Sequence, residues 1–197
     1  MAPSDAVAPP RAGRDRATVR IGAVALAAWA FHAADQLRQH HPENLLWCCH
    51  VGGLGVAIGL ILRAPRVLAP AAFLSLLGVV MWPIDVIVTG DLEPSSAVAH
   101  VAGIALGLAG IRRLGLPRGT WLRAGATLFA LTVTARLVTP PAENVNLAFA
   151  VHPSLAGHVQ SHGIYVAGVG ALVLMGFFAL DRALRATGVR TAGRHFH

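Results

Sequence analysis

Hydrophobic positions fall in six long, continuous runs along the chain, at roughly 20–38, 45–62, 67–89, 96–114, 120–138 and 162–181. Each run is close to the ~20 residues that an α-helix needs to cross a bilayer. The runs are rich in Ala, Leu, Gly and Val and lack the period-two alternation of a transmembrane β-barrel strand. They predict an all-α fold, a polytopic transmembrane bundle of six helices forming one domain over 20–182. The flanking stretches, 1–19 and 183–197, read as basic, disordered cytoplasmic tails.

Polar positions inside the runs are not scattered. His32, Asp35, Gln36 and Gln39 stand at i, i+3, i+4 and i+7 and form one stripe. Cys49 and His50 lie about one turn inside the second run, and His100 lies about one turn inside the fourth, at 1.5 Å of rise per residue. Asp85 falls near the end of the third run and Arg136 near the end of the fifth, while His162 and Tyr165 open the sixth. An ionisable group within a span costs a few kcal/mol or more unless it faces the bundle interior or water. Groups from six helices at one depth therefore predict a lined polar pocket.

Small residues refine the picture. Cys48, Gly52, Gly55 and Gly59 make a smooth seam, and His100 shares a face with Gly103, Gly107 and Gly110, patterns that let helices approach closely. Cys48 is thereby assigned to packing and Cys49 to the cavity. The connection "TPPAENVNLAFAVHPSLAGHVQSH" contains no Lys or Arg and has an apolar middle. It is expected to fold back on the bundle as a re-entrant or interfacial lid, with Pro140 and Pro141 ending the fifth helix and Asn144 and Asn146 turning the chain. Trp29, Trp47, Trp82 and Trp121 sit near run ends and read as interface anchors.

Composition supports the bilayer: the chain is 55% hydrophobic and 13% charged, with mean hydropathy +0.60, against about a quarter charged in soluble domains. Charge placement adds topology. All sixteen basic residues are Arg, and fourteen fall on one side of a six-helix alternation, leaving Arg38 and Arg136. Under the positive-inside rule both termini are cytoplasmic. The net charge of +7 then implies membrane lipids with anionic headgroups as partners, and no nucleic acid. A signal peptide is the rival reading of the N-terminus, but "FHAADQLRQ" is a poor cleavage region.

Cys49 and His100 at a common depth suggest a nucleophilic pair, the imidazole drawing the thiol proton; the bland alternative is a small buried thiol beside a hydrogen-bonded core histidine. Asp85 is placed to orient His100, relay protons or pair with Arg136, and simple ion pairing of Asp35 or Asp85 with Arg38 or Arg136 is the competing reading. Vicinal Cys48 and Cys49 fit disulfide geometry poorly. Histidines also suggest a metal: His158 and His162 stand at i and i+4, with His40, His41, His50 and His152 and the acids Asp35, Glu43 and Asp85 as further donors. His32 and His100 are a conceivable haem pair. No strong metal or phosphate-loop motif is present, so the cofactor is open.

"NLLWCCH" and "PPAENVNLAF" resemble strings in a group of uncharacterised bacterial integral membrane proteins that carry Asn-Leu-Leu-Trp-Phe-Cys-Asp early and Asn-[Ile/Val]-Asn-[Trp/Leu]-x-Phe before the last helix. Asn44, Trp47, Cys49, Asn144, Asn146 and Phe149 agree; Cys48 stands for Phe and His50 for Asp. The layout is more distantly similar to the six-helix relatives of the androgen-induced membrane hydrolases, with Cys49, Asp85 and His100 at the positions of interest. That resemblance implies a bacterial inner-membrane hydrolase or acyltransferase acting on lipids. In it Cys49, His100 and Asp85 are catalytic, with Asn44 or His50 stabilising an oxyanion. His32, Asp35, Arg136, Asn144, Asn146, His162 and Tyr165 are further candidates around a lipid-like or small-molecule substrate. A metal-binding or transport protein built on the outer histidines, and a non-catalytic membrane subunit, are the alternatives.

Overall fold

The computed structural model describes residues 11–90 and 92–192, with the side chains of 11–14, 85, 88, 89 and 154 outside that description. Among the described residues the chain forms six α-helices and no strand: α1 (Arg11–Arg38), α2 (Cys48–Ile61), α3 (Pro65–Thr89), α4 (Pro94–Leu114), α5 (Thr120–Val138) and α6 (His162–Ala186). Segments of α1, α3, α4 and α6 are each long and apolar enough to cross a membrane. The protein is an all-helical membrane bundle, as the hydrophobic runs predict.

Three boundaries differ from the pattern. α1 begins at Arg11 rather than 20, because its Ala- and Arg-rich start favours helix and Asp15 is held by Arg63 at 2.7 Å. Residues 1–10 lie outside the described residues. At the other end α6 runs to Ala186, and Arg190 accepts a backbone hydrogen bond from Leu116 at 2.9 Å, so part of the expected tail is docked; 193–197 lie outside the described residues. In between, α2 has only 14 residues, about 21 Å of helix against ~30 Å of hydrocarbon. Leu45 and Leu46, assigned by hydropathy to the second helix, instead belong to a 3₁₀ turn, Pro42–Leu46.

The short helix sits at the centre, packed on α1, α3 and α4. Its glycine seam makes this possible: a Cβ at Gly59 would lie 2.6 Å from Leu68 Cα, and one at Gly52 would lie 2.8 Å from Ala71 O. Val56 and Leu60 of α2, Phe73 of α3 and Ile111 of α4 are fully buried around it, while Val101, Leu137 and Leu172 face outward. α6 packs mainly on α5 and reaches the core through Phe177, whose ring lies 5.7 Å from that of Phe73. The two remaining ends are tied by Arg185, which bonds Asp181 at 2.7 Å and the Pro117 carbonyl at 2.8 Å.

Between α5 and α6 the chain makes three 3₁₀ turns, Pro141–Glu143, Val145–Leu147 and Pro153–Leu155. Val145 and Ala148 are buried against Ala135 of α5, with Leu46 and Trp47 alongside. The connection folds back on the bundle, as its apolar middle predicts.

Candidate functional site

Every helix and this connection contribute to the wall of one cavity of about 640 Å³. Its polar end is built by His32, Asn44, Cys49, His50 and His100, and its far end by apolar groups such as Leu128, Phe129 and Leu174. Tyr165 and Leu174 both line it from α6, which corresponds to about 14 Å along the helix axis.

At the polar end Cys49, His50 and His100 each offer a donor atom, all lying within 4.8 Å of one another. Local structure explains why they meet. Cys48 begins α2, so Cys49 and His50 occupy its first turn. Asn146, in the left-handed region at φ 53° that Asn tolerates, clamps that start. Its Oδ1 accepts the Cys48 backbone N–H at 2.8 Å, and its Nδ2 donates to the Leu46 carbonyl at 2.8 Å. One otherwise orphaned first-turn N–H is thereby satisfied. Opposite, α3 presents Gly78, where a Cβ would lie 2.7 Å from His100 Nε2 and 2.9 Å from Cys49 Cβ. Only the absence of a side chain there leaves room for both.

The hydrogen bonds define the imidazoles. His50 Nδ1 lies 2.6 Å from the Asn44 carbonyl, and His100 Nδ1 lies 2.8 Å from the Ser96 carbonyl. A carbonyl oxygen only accepts, so in both rings Nδ1 carries the proton and neutral Nε2 carries the lone pair. His32 follows by one further step. Ser95 Oγ donates its single proton to Asp35 at 2.7 Å, so the 3.1 Å contact with His32 Nδ1 has the ring as donor. The Nε2 atoms of His32 and His100 are buried and have no hydrogen-bond partner among the described residues. The rings follow one another: His32 meets His50 edge-on at 4.2 Å, His50 meets His100 edge-on at 5.5 Å, and His100 stacks on Trp82 at 5.2 Å.

Several candidates stand elsewhere. Arg136 donates to the Ala148 carbonyl and covers the Phe149 ring. Asn144 accepts the N–H groups of Phe149 and Ala150, and His162 Nε2 donates to the Leu147 carbonyl at 3.0 Å. All three shape the connection rather than line the cavity. Asp35 pairs with Arg38 at 2.8 Å and reaches the site through the Ser95 hydroxyl. Asp85 lies in α3 with its side chain outside the described residues; among the described residues the Ser96 carbonyl orients His100. His50, with its Nδ1 proton committed to Asn44, has no second proton for an oxyanion. Cys48 packs against the core and also borders the cavity, so packing and lining are not exclusive.

Ser95, Ser96 and Gly78 do not stand out in the sequence, and Trp82 stands out there only as an interface anchor. Ser96 stands at i, i+4 from His100, a spacing that puts them on one helix face, and this was the available signal. Three of the four tryptophans touch residues of the site, while Trp121 packs edge-on against Phe178. Trp29 donates to the His50 carbonyl at 3.0 Å, Trp47 to Asn44 at 3.3 Å, and Trp82 stacks on His100. Outside the spans, Glu43 accepts from His41 at 3.0 Å. Its own backbone N–H, and then His41, hold its carboxyl below the usual carboxylate range.

No family model, curated protein or solved structure matches the chain.

Proposed function

We propose that this is a lipid-directed hydrolase or acyltransferase of a bacterial inner membrane, multi-pass with both termini cytoplasmic, in which Cys49 is the nucleophile and His100 its base. The observation that carries this reading is the placing of the Cys49 sulfur within 4.8 Å of an imidazole nitrogen of His100. Since the His100 Nδ1 proton is committed to Ser96, Nε2 is the nitrogen able to accept a proton. A gap of that size closes with modest side-chain rotation to the ~3 Å that proton transfer requires.

The cavity supports a substrate with an apolar tail. Its far end is walled by Leu, Val and Phe side chains, whereas its polar end carries the reactive groups. A bound acyl ester would put its carbonyl at Cys49. His100 Nε2 takes the thiol proton, the thiolate adds to the carbonyl, and the alcohol leaves with the proton from His100. The resulting thioester is then attacked by water or by an acceptor alcohol, which regenerates the thiol and releases an acid or a new ester. Asn44 gives one amide hydrogen to Gln36 at 2.8 Å and keeps the other for the developing oxyanion.

The test is labelling of detergent-solubilised protein by an activated long-chain thioester. Wild type and Cys48→Ser should acquire one acyl group per chain, and Cys49→Ala none. Equal acylation of Cys49→Ala would remove Cys49 as the nucleophile.

A further inference from the structure

One acid–base pair does not account for the polar end of the cavity, because acyl transfer needs one imidazole and three are gathered there. We infer that Cys49, His50 and His100 form a binding site for a soft divalent cation of the zinc class, and that cation occupancy and acyl transfer are exclusive states of the Cys49 thiol. The second clause rests on the proposed acyl-transfer reading; the first stands on geometry alone.

The donor set fits such an ion. One thiolate and two imidazoles suit zinc and its neighbours rather than the hard cations, which take oxygen. Bonds of about 2.0–2.3 Å at tetrahedral angles separate ligand atoms by roughly 3.5 Å. Donor atoms already within 4.8 Å of one another need to close by about an ångström, within the reach of side-chain rotation. Three protein ligands also leave a fourth position open toward the cavity, as in catalytic and exchangeable zinc sites.

The surrounding bonds point the same way. His50 and His100 each commit Nδ1–H to a backbone carbonyl, the outer support that orients metal-binding imidazoles and leaves Nε2 as the donor. His100 Nε2 is buried with no hydrogen-bond partner among the described residues. A lone pair isolated in this way is a cost without a ligand and a bond with one. Gly78 keeps open the space between His100 and Cys49 that a Cβ would fill. Glu93, which accepts a hydrogen bond from Gln36 at 2.8 Å, lines the same cavity.

Binding replaces the S–H bond of Cys49 with a sulfur–metal bond and sends the proton to solvent. The sulfur lone pair is then committed, so the coordinated thiol does not attack an acyl group. Cation binding is reversible by chelator, and the site becomes a switch on the nucleophile.

The experiment uses the full chain in detergent with Cys48→Ser, so that Cys49 is the only thiol. With Zn²⁺ added, one ion per chain should be retained through desalting. Alkylation of Cys49 by a maleimide should then be suppressed about tenfold or more, and restored by a chelator. His50→Ala and His100→Gln should each weaken Zn²⁺ binding about tenfold or more. No retained zinc, or undiminished alkylation in its presence, would overturn the inference, and this readout needs only protein that already folds. Long-chain thioester labelling of the zinc-free sample separates the two readings. Zinc binding without labelling refutes acyl transfer and the exclusivity while the site stands, and labelling that retained Zn²⁺ leaves unchanged refutes the exclusivity.

Discussion

Gly78 shows how much of the site depends on what is missing. A methyl group at that position would meet His100 and Cys49 below contact distance, and inserting one into a packed interior costs typically 1–3 kcal/mol. The imidazole is held from behind by the Ser96 carbonyl and stacked on Trp82, so it cannot simply swing aside. Gly78→Ala should therefore lose thioester labelling and zinc retention together while the protein still inserts and purifies. Full retention of both would show that the ring has room the structure does not reveal. Depth along the helices was enough to single out His32, Cys49, His50 and His100 from the sequence. Gly78 escaped notice because a glycine's importance lies in the neighbours it admits, and those come from α2 and α4.

At the scale of elements, the central position of α2 follows from its glycine seam. In a bilayer, apolar side chains gain little by leaving lipid, so close backbone packing of small residues carries much of the association. Gly59 is the most constrained point, since its would-be Cβ lies 2.6 Å from backbone atoms of Leu68 that cannot rotate away. Gly59→Ala should lower the melting temperature of the detergent-solubilised protein, corresponding to about 1–3 kcal/mol. Gly176→Ala, on α6 with nothing within 4 Å of its Cβ, should leave it near wild type. A Gly59 variant as stable as the Gly176 one would contradict the packing described. The seam was visible as a repeat of small residues. The early end of α2 was not: "LLW" is as hydrophobic as the helix it precedes, and what breaks it is the tertiary bond from Asn146 to the Leu46 carbonyl.

Across the whole molecule, the proposed topology of six spanning helices with one-sided arginines has both ends of the chain on the same face. Reporter fusions at residues 1 and 197 should both report the cytoplasm, and a fusion after Glu143 the opposite side; opposite answers at the two termini would break the proposed topology. Hydropathy makes the helical bundle legible, because it is a sum over many residues and survives local error. The roles of Arg136, Asn144 and His162 were not legible, because a polar residue near a helix end serves a loop or a cavity equally well until its partner is known. Asp35 illustrates the same ambiguity, since it both pairs with Arg38 and steers His32 through Ser95.

The Asn146 clamp has a bearing on how the protein is made. It bonds the first turn of α2 across a separation of 98 residues, with α3, α4 and α5 lying between. A ribosome will have synthesised all of those helices before it adds the residue that secures Cys48. Until then the cysteine pair occupies an unclamped helix start, and the polar end of the cavity is finished only after α3, α4 and α5 have been made.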